Sequence, residues 1–263
     1  MNLEKLFPRL ELALKARAGM LDDAHLAAIR LFSGFYEGEP QLAVDVYART
    51  LVIFDHADPP SPVDVIHSIL DFYHARLPWI SAGMLKPRNA PDAEMQRGVS
   101  IYGEKLDRRV REDGVWYALD LSMSRDASLY LDTRGLRAWA KAHLKGKTVL
   151  NAFAYSGSLG VAALAGEASQ VIQLDQSRRY LNLAKDSYML NGFAAQRGDF
   201  IAADFFAGVS RLKRAGRCFD CVLLDPPYFS SGPRGGIDLE HASSRLINKV
   251  RPLVADSGVL AAV

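Results

Sequence analysis

The sequence predicts an α/β protein: a doubly wound, mostly parallel sheet preceded by a smaller N-terminal α+β domain. Three observations predict it. Residues 148–175 read as strand, tight loop, helix and strand, the βαβ unit from which parallel sheets are built. From 134 to 263, helix-like and strand-like segments alternate, as a doubly wound topology requires. Asp175, Asp204 and Asp225 each directly follow a strand-like run, and in an open α/β sheet that edge is where ligands bind.

The 263 residues are 49% hydrophobic and 24% charged, with a formal net charge of +2. Such values describe an ordinary soluble chain of one large or two smaller domains. Mild basicity permits a nucleic-acid partner without arguing for one. Cys218 and Cys221 form a lone C-x-x-C, too few ligands for a zinc site. No metal is therefore expected, and the thiols are expected reduced in a cytoplasmic protein. Neither a signal peptide nor a membrane-spanning run is visible.

Taken in order, residues 1–20 read as a helical arm with Phe7, Leu10, Leu12 and Leu14 as its apolar positions, interrupted by Pro8. A small domain is expected over 21–118. It opens with a helix over 21–30, begun by Asp22-Asp23, and continues with two strands, 41–47 and 50–54, spaced as a hairpin. Residues 63–75 carry apolar side chains at helical spacing, Val65, Ile66, Ile69, Leu70 and Tyr73. Residues 86–98 are polar, contain Pro87 and Pro91, and read as a long loop. Asp113-Gly114 between the strand-like runs 106–111 and 115–121 is a hairpin turn, and the domain boundary is placed near it.

The second domain is expected over 119–263. A helix at 134–143 precedes the strand 148–152, whose apolar run has the length of a buried parallel strand. Residues 153–157 turn the chain, and 158–165 form a helix of small residues able to lie close to a sheet. The strand 171–174 ends at Asp175, and the helix 178–190 is stopped by Asn191-Gly192. A strand at 200–203 ends at Asp204, a helix covers 206–213, and the strand 219–224 ends at Asp225. A helix over 239–253 despite Pro252 leads to a last strand at 259–263. This fold normally continues with a further hairpin, so the sequence reads as lacking the final strands.

A βαβ unit with an acid closing its second strand is a nucleoside-binding geometry: the loop meets the ligand at the helix N-terminus, and the acid accepts from ribose hydroxyls. The loop is not a dinucleotide fingerprint, since G-x-G-x-x-G is absent. Gly157 and Gly160 are present, while Phe153 and Tyr155 fill positions where a generic loop has glycine. The bland reading of Asp175 and Asp204 is a helix N-cap, and Asp199 competes with Asp204 if the strand register shifts.

The run VLNAFAYSGSLGVAAL, residues 149–164, resembles motif I of the class I S-adenosylmethionine-dependent methyltransferases. Its F-A-Y-S-G variant resembles the bacterial large-subunit rRNA methyltransferases of the RlmI and RlmK type. Asp225-Pro226-Pro227-Tyr228-Phe229-Ser230, the stretch LDTRGLR at 131–137, and residues 30–38 with 44–47 resemble the same group. The resemblance implies S-adenosylmethionine as cofactor. Asp175 would take the ribose diol, followed by Gln176 and Ser177. Asp204 would take the adenine amino group, with Phe205 packing on the ring. Asn151, Phe153, Ala154, Tyr155, Ser156 and Gly157 would line the path of the amino-acid tail. Arg134 would pair with the tail carboxylate, the alternative being a plain helix start with an exposed Arg137.

In methyltransferases with this motif, Asp225 and the Pro226 carbonyl would orient the acceptor base and Tyr228 would stack on it. The leading function is thus methyl transfer to a base of large-subunit rRNA, with rRNA as partner and a homodimer left open. The alternatives are a small-molecule methyltransferase on the same fold and a truncated cofactor-binding protein without activity. Carbon-5 methylation of a pyrimidine needs a cysteine nucleophile, and no cysteine follows Cys221, so nitrogen methylation fits the chain better. Lys105, Arg108, Arg109 and Arg111 offer an RNA-facing cluster, or, interleaved with acids, a solvated hairpin face.

Overall fold

The computed structural model describes residues 1–230 and 237–263. The chain forms two compact units, Met1–Leu131 and Asp132–Val263. The helical arm therefore belongs to the first unit. Helix α1, Leu3–Arg17, is capped by the Asn2 side chain, which accepts from the Glu4 N–H. Its buried stripe is Leu6, Leu10, Ala13 and Leu14, the i, i+4 face of a packed helix, whereas Leu12 is 71% exposed. Pro8 does not interrupt the helix. It lies past the first turn, so the helix forgoes one rung, the bond an N–H at this position would make to the Glu4 carbonyl.

Residues 21–30 are not the expected helix. The Asp22 carboxylate accepts from the N–H groups of Leu26 and Ala27, a side-chain-to-backbone turn that competes with helix. The chain then enters strand β1, Ala28–Ser33. The expected hairpin forms as β2, Leu42–Tyr47, and β3, Thr50–Asp55, joined at Ala48-Arg49 with Tyr47 opposite Thr50. Helix α2, Val63–Arg76, crosses to β4, Ala82–Pro87, which pairs parallel to β3. The expected long loop over 86–98 is shorter than read. It begins inside β4, holds a one-turn helix α3, Ala93–Gln96, and runs into β5, Val99–Tyr102. The sheet order is β1-β2-β3-β4-β5.

Lys86 on β4 is fully buried, and its Nζ donates to the carbonyls of Arg97 and Ser124 at 2.6 and 2.8 Å. Burial pushes its pKa down to about 8. Strands β6, Arg109–Glu112, and β7, Val115–Ala118, form the predicted hairpin. Asp113 and Gly114 both adopt positive φ, as a two-residue turn of this type demands.

The second unit opens with α4, Arg134–His143. It continues with β8, Thr148–Ala152; α5, Ser158–Ala165; β9, Gln170–Asp175; and α6, Arg178–Leu190. Then come β10, Phe200–Ala202; α7, Phe205–Arg214; and β11, Phe219–Leu224. The two-residue strands β12, Phe229–Ser230, and β13, Ile237–Asp238, pair antiparallel. Helix α8, Leu239–Val250, gives way to a 3₁₀ turn at Arg251–Leu253, where Pro252 sits, and β14, Val254–Ala262, follows.

The sheet order is β10-β9-β8-β11-β14, every pair parallel. Leu150, Ile172 and Val222 pack with Val209 and Val250 of α7 and α8 on one face. Val149, Val171 and Leu223 pack with α4 and α5 on the other.

Helix α5 lies unusually close to the sheet. A Cβ on Gly160 would stand 2.2 Å from Gln173 Nε2. Gly160→Ala is expected to destabilise the protein by about 1–3 kcal/mol, the usual cost of overpacking. Gly135 in α4 has nothing within 4 Å of its notional Cβ, so Gly135→Ala is expected to be neutral or to stabilise by up to about 1 kcal/mol. Urea unfolding of both variants checks the contrast.

Candidate active site at the carboxyl edge of the parallel sheet

Register brings the three acids to one edge. Leu224, Ala152, Leu174 and Ile201 lie in one row across β11, β8, β9 and β10. The chain leaves each strand just beyond that row, at Asp225, Phe153, Asp175 and Ala202. The ladder continues outward: the Ala154 N–H donates to the Leu174 carbonyl and the Ala203 N–H to that of Asp175. Strand order reverses between β8 and β11, the switch point at which open α/β sheets form their ligand crevice. Asp204, following β10, lies on this edge. Asp199 precedes β10, is buried, and accepts from Gln170 Nε2 at the start of β9, which puts it at the opposite edge.

The β8–α5 loop is held in an unusual shape. Phe153, Tyr155 and Gly157 have φ of 58°, 50° and 77°, a region that L-residues with side chains enter at a cost. Two compensations are visible. Phe153 stacks on Phe205 with centroids 4.5 Å apart, and Tyr155 meets Tyr180 edge-on at 4.4 Å. Asp175 Oδ2 accepts from the Tyr155 N–H and Oδ1 from the Ser177 N–H, at 2.9 and 2.8 Å. Burial raises the Asp175 pKa, and the two backbone donors act against that rise. The carboxylate remains half-buried, with each oxygen able to accept again. Ser177, not Asp175, caps α6, while Gln176 is exposed.

Asp204 does cap its helix: Oδ1 accepts from the Ala207 N–H at 3.1 Å. Phe205 is buried beneath Phe153. Ala154 and Ser156 are buried within the loop. Helix α5 starts at Gly157 with no side-chain cap, so its first N–H groups and the positive end of its dipole face the edge. Asn151, 1% exposed, donates from Nδ2 to Gln173 Oε1, and Gln173 Nε2 donates to the Gly157 carbonyl. Asn151 Oδ1 is buried without a partner among the described residues.

Beyond β11, Asp225 is half-buried, Pro226 is buried and Tyr228 is 68% exposed. Burial, and secondarily the charge of Asp132, pushes the Asp225 pKa up to about 6. The Tyr228 hydroxyl donates to Glu240 Oε2 at 3.3 Å. Cys221 is fully buried in β11 and its thiol is pushed up to about 11 by burial, which makes it a packing residue and not a nucleophile. Cys218 is exposed.

Arg134 opens α4. Arg137 is not exposed, as the alternative reading had it: it is 1% exposed and donates to Thr133 Oγ1 at 2.8 Å. Its i, i+4 spacing from Thr133, beside Ala140 on the buried face, was the available signal. Gln173 was also missed, although a glutamine inside an apolar strand is itself a sign of a buried polar network. No signal in the sequence marked Glu240. Among the described residues, no cluster of three His, Cys, Asp or Glu forms a metal site, and no helix is long and apolar enough to cross a membrane.

The family model of the S-adenosylmethionine-dependent methyltransferases matches residues 41–263. Ribosomal RNA large subunit methyltransferase I of Aeromonas hydrophila is 30% identical over 87% of this chain and 58% of its own length. Ribosomal RNA large subunit methyltransferase K/L of Colwellia psychrerythraea is 31% identical over 86% of this chain and 32% of its own length. The chain thus spans 32% to 58% of the length of these curated relatives.

Among solved structures, the methyltransferase SMU.776, crystallised with SAH, superposes with a TM-score of 0.87. It is 20% identical and covers 100% of this chain and 67% of its own. The M. jannaschii tRNA m1G37 methyltransferase gives 0.60 at 15% identity, covering 96% of this chain and 64% of its own. These two likenesses concern the fold. With the family's match running through both halves of the sheet, the chain belongs to the S-adenosylmethionine-dependent methyltransferases.

Proposed function

We propose that this chain transfers a methyl group from S-adenosylmethionine to a base of large-subunit rRNA. The observation that carries the reading is the Asp225-Pro226-Pro227-Tyr228 turn at the switch point, on the same sheet edge as Asp175 and Asp204. The names of the relatives favour rRNA as the acceptor, and a ribosome-associated role in the cytoplasm follows from that acceptor.

The residues fit the cofactor. Asp175 has acceptor capacity left for a ribose diol, and Asp204 keeps one oxygen free of its capping bond for the adenine amine. The uncapped start of α5 suits the tail carboxylate, with Arg134 as its counter-charge. Asn151 Oδ1, a buried acceptor unsatisfied among the described residues, suits an ammonium group. Phe205 acts through Phe153, which it supports from below. Gln176 and Ser177 continue the strip beside Asp175.

When bound, S-adenosylmethionine supplies the methyl group as an electrophile. The protein's task is positioning. Asp225 and the Pro226 carbonyl accept from the base and hold its lone pair in line, and Tyr228, oriented by Glu240, stacks on the extruded ring. With Cys221 buried and protonated, the side chains at this edge are acceptors and stacking surfaces.

The direct test incubates the protein with methyl-labelled S-adenosylmethionine and unmodified large-subunit rRNA, followed by mass spectrometry of the nucleosides. Label in one base is expected. Cofactor binding without label in the RNA rejects the rRNA acceptor, and absence of cofactor binding rejects the whole reading.

Three further outcomes are expected. Asp175→Ala removes both the ribose acceptor and the anchor of the Tyr155 N–H, so affinity for S-adenosylhomocysteine falls by about 1.5–3 kcal/mol in calorimetry. Tyr228→Ala lowers methyl transfer, with about 1–3 kcal/mol of stacking removed, while cofactor affinity stays nearly intact. Asp225 accepts from the base only when ionised, and its pKa is raised to about 6. The kcat/KM profile should therefore fall as pH drops through about 6, and Asp132→Asn should move that limb to lower pH.

A further inference from the structure

The β6–β7 hairpin sorts its charges by face. Val110, Glu112, Val115 and Tyr117 are buried on one side. Arg109 and Arg111 are exposed on the other, with Trp116 directly opposite Arg111 in the ladder. The guanidinium carbons of Arg109 and Arg111 lie 4.8 and 5.5 Å from the Trp116 ring centroid. Two acids that interleave with these bases in the sequence are occupied elsewhere. Glu112 faces inward, and Asp107 accepts from the Thr50 hydroxyl and the Arg49 N–H. Asp113 is exposed at the turn, and against it the outer face carries Arg109 and Arg111 with Arg108 beside them, a net cationic surface.

An indole that holds guanidinia by cation–π contact restricts two otherwise flexible side chains, so less entropy is lost when they grip an anion. A guanidinium beside an aromatic ring also offers a planar surface on which an unpaired base can stack. Cationic charge and stacking planes on a two-stranded ribbon match a single-stranded nucleic acid better than an apolar protein surface.

We propose that the Arg109–Trp116–Arg111 face of the hairpin docks a single-stranded segment of the RNA substrate, Arg109 and Arg111 contacting phosphates and bases. This rests on the rRNA reading above. It adds a binding surface in the first unit that takes no part in cofactor binding.

The test compares the protein with its Arg109→Ala/Arg111→Ala and Trp116→Phe variants. Probes are an unmodified large-subunit rRNA transcript and a short oligouridylate, each titrated across a range of salt. The double variant is expected to bind both RNAs about tenfold more weakly, with the salt slope reduced by about 1.4, roughly 0.7 for each phosphate no longer neutralised. Its affinity for S-adenosylhomocysteine is expected to match the parent's, and Trp116→Phe is expected to keep most RNA affinity. If the parent methylates rRNA while the double variant binds RNA with unchanged affinity and slope, the hairpin proposal is overturned and the rRNA reading stands. If the parent neither binds nor methylates the transcript, the rRNA reading fails and the proposal falls with it.

Discussion

The geometry of the second unit depends on one buried amide. Gln173 sits in the middle of β9 with no solvent exposure, so its donors and acceptor must be met inside the protein. Asn151 donates to it from the neighbouring strand, and its Nε2 reaches the Gly157 carbonyl and the Tyr188 hydroxyl. The Gly157 contact exists only because α5 lies almost on the strand, where Gly157 and Gly160 present no Cβ. A single glutamine thereby fixes the height of a helix above the sheet, and with it the place where that helix begins.

The loop between β8 and α5 inherits its shape from this constraint. The chain must rise from Ala152 and reach Gly157 within a few residues, and it does so by passing through left-handed backbone at Phe153 and Tyr155. Such positions cost of order 1–3 kcal/mol each. Ring contacts to Phe205 and Tyr180 and the hydrogen bond to Asp175 offset that cost. Asp175 consequently ties two loops together, quite apart from any ligand it holds. A glycine loop would follow the same path without strain but would lack the rings that pin it.

The sequence revealed the second unit more fully than the first, for a physical reason. Parallel strands buried on both faces are short, mainly apolar runs, and β8, β9 and β11 each carry that mark. In the first unit, residues 21–30 have helix-like composition, yet Asp22 commits its carboxylate to backbone N–H groups and the segment turns into a strand. Strand β5 went unread because Val99–Tyr102 is only 4 residues long and largely exposed. At the site, Asp175, Asp204 and Asp225 were legible because each ends a strand. Asp199 is separated from Asp204 only by knowing which end of β10 each occupies. Arg137 was marked only by its spacing from Thr133 and Ala140 on one helix face, whereas Glu240 depends on a tertiary neighbour, the Tyr228 hydroxyl, which local sequence does not carry.

The two cysteines differ sharply although they stand three positions apart. Cys218 meets solvent before β11 begins, whereas Cys221 is sealed among Val149, Val171 and Leu223 with its thiol held protonated. An alkylating reagent will therefore mark Cys218 at once and reach Cys221 only when the central strands part. The delay between the first and second adducts gives the molecule a built-in clock for the opening of its sheet, read by mass without any added label or substitution.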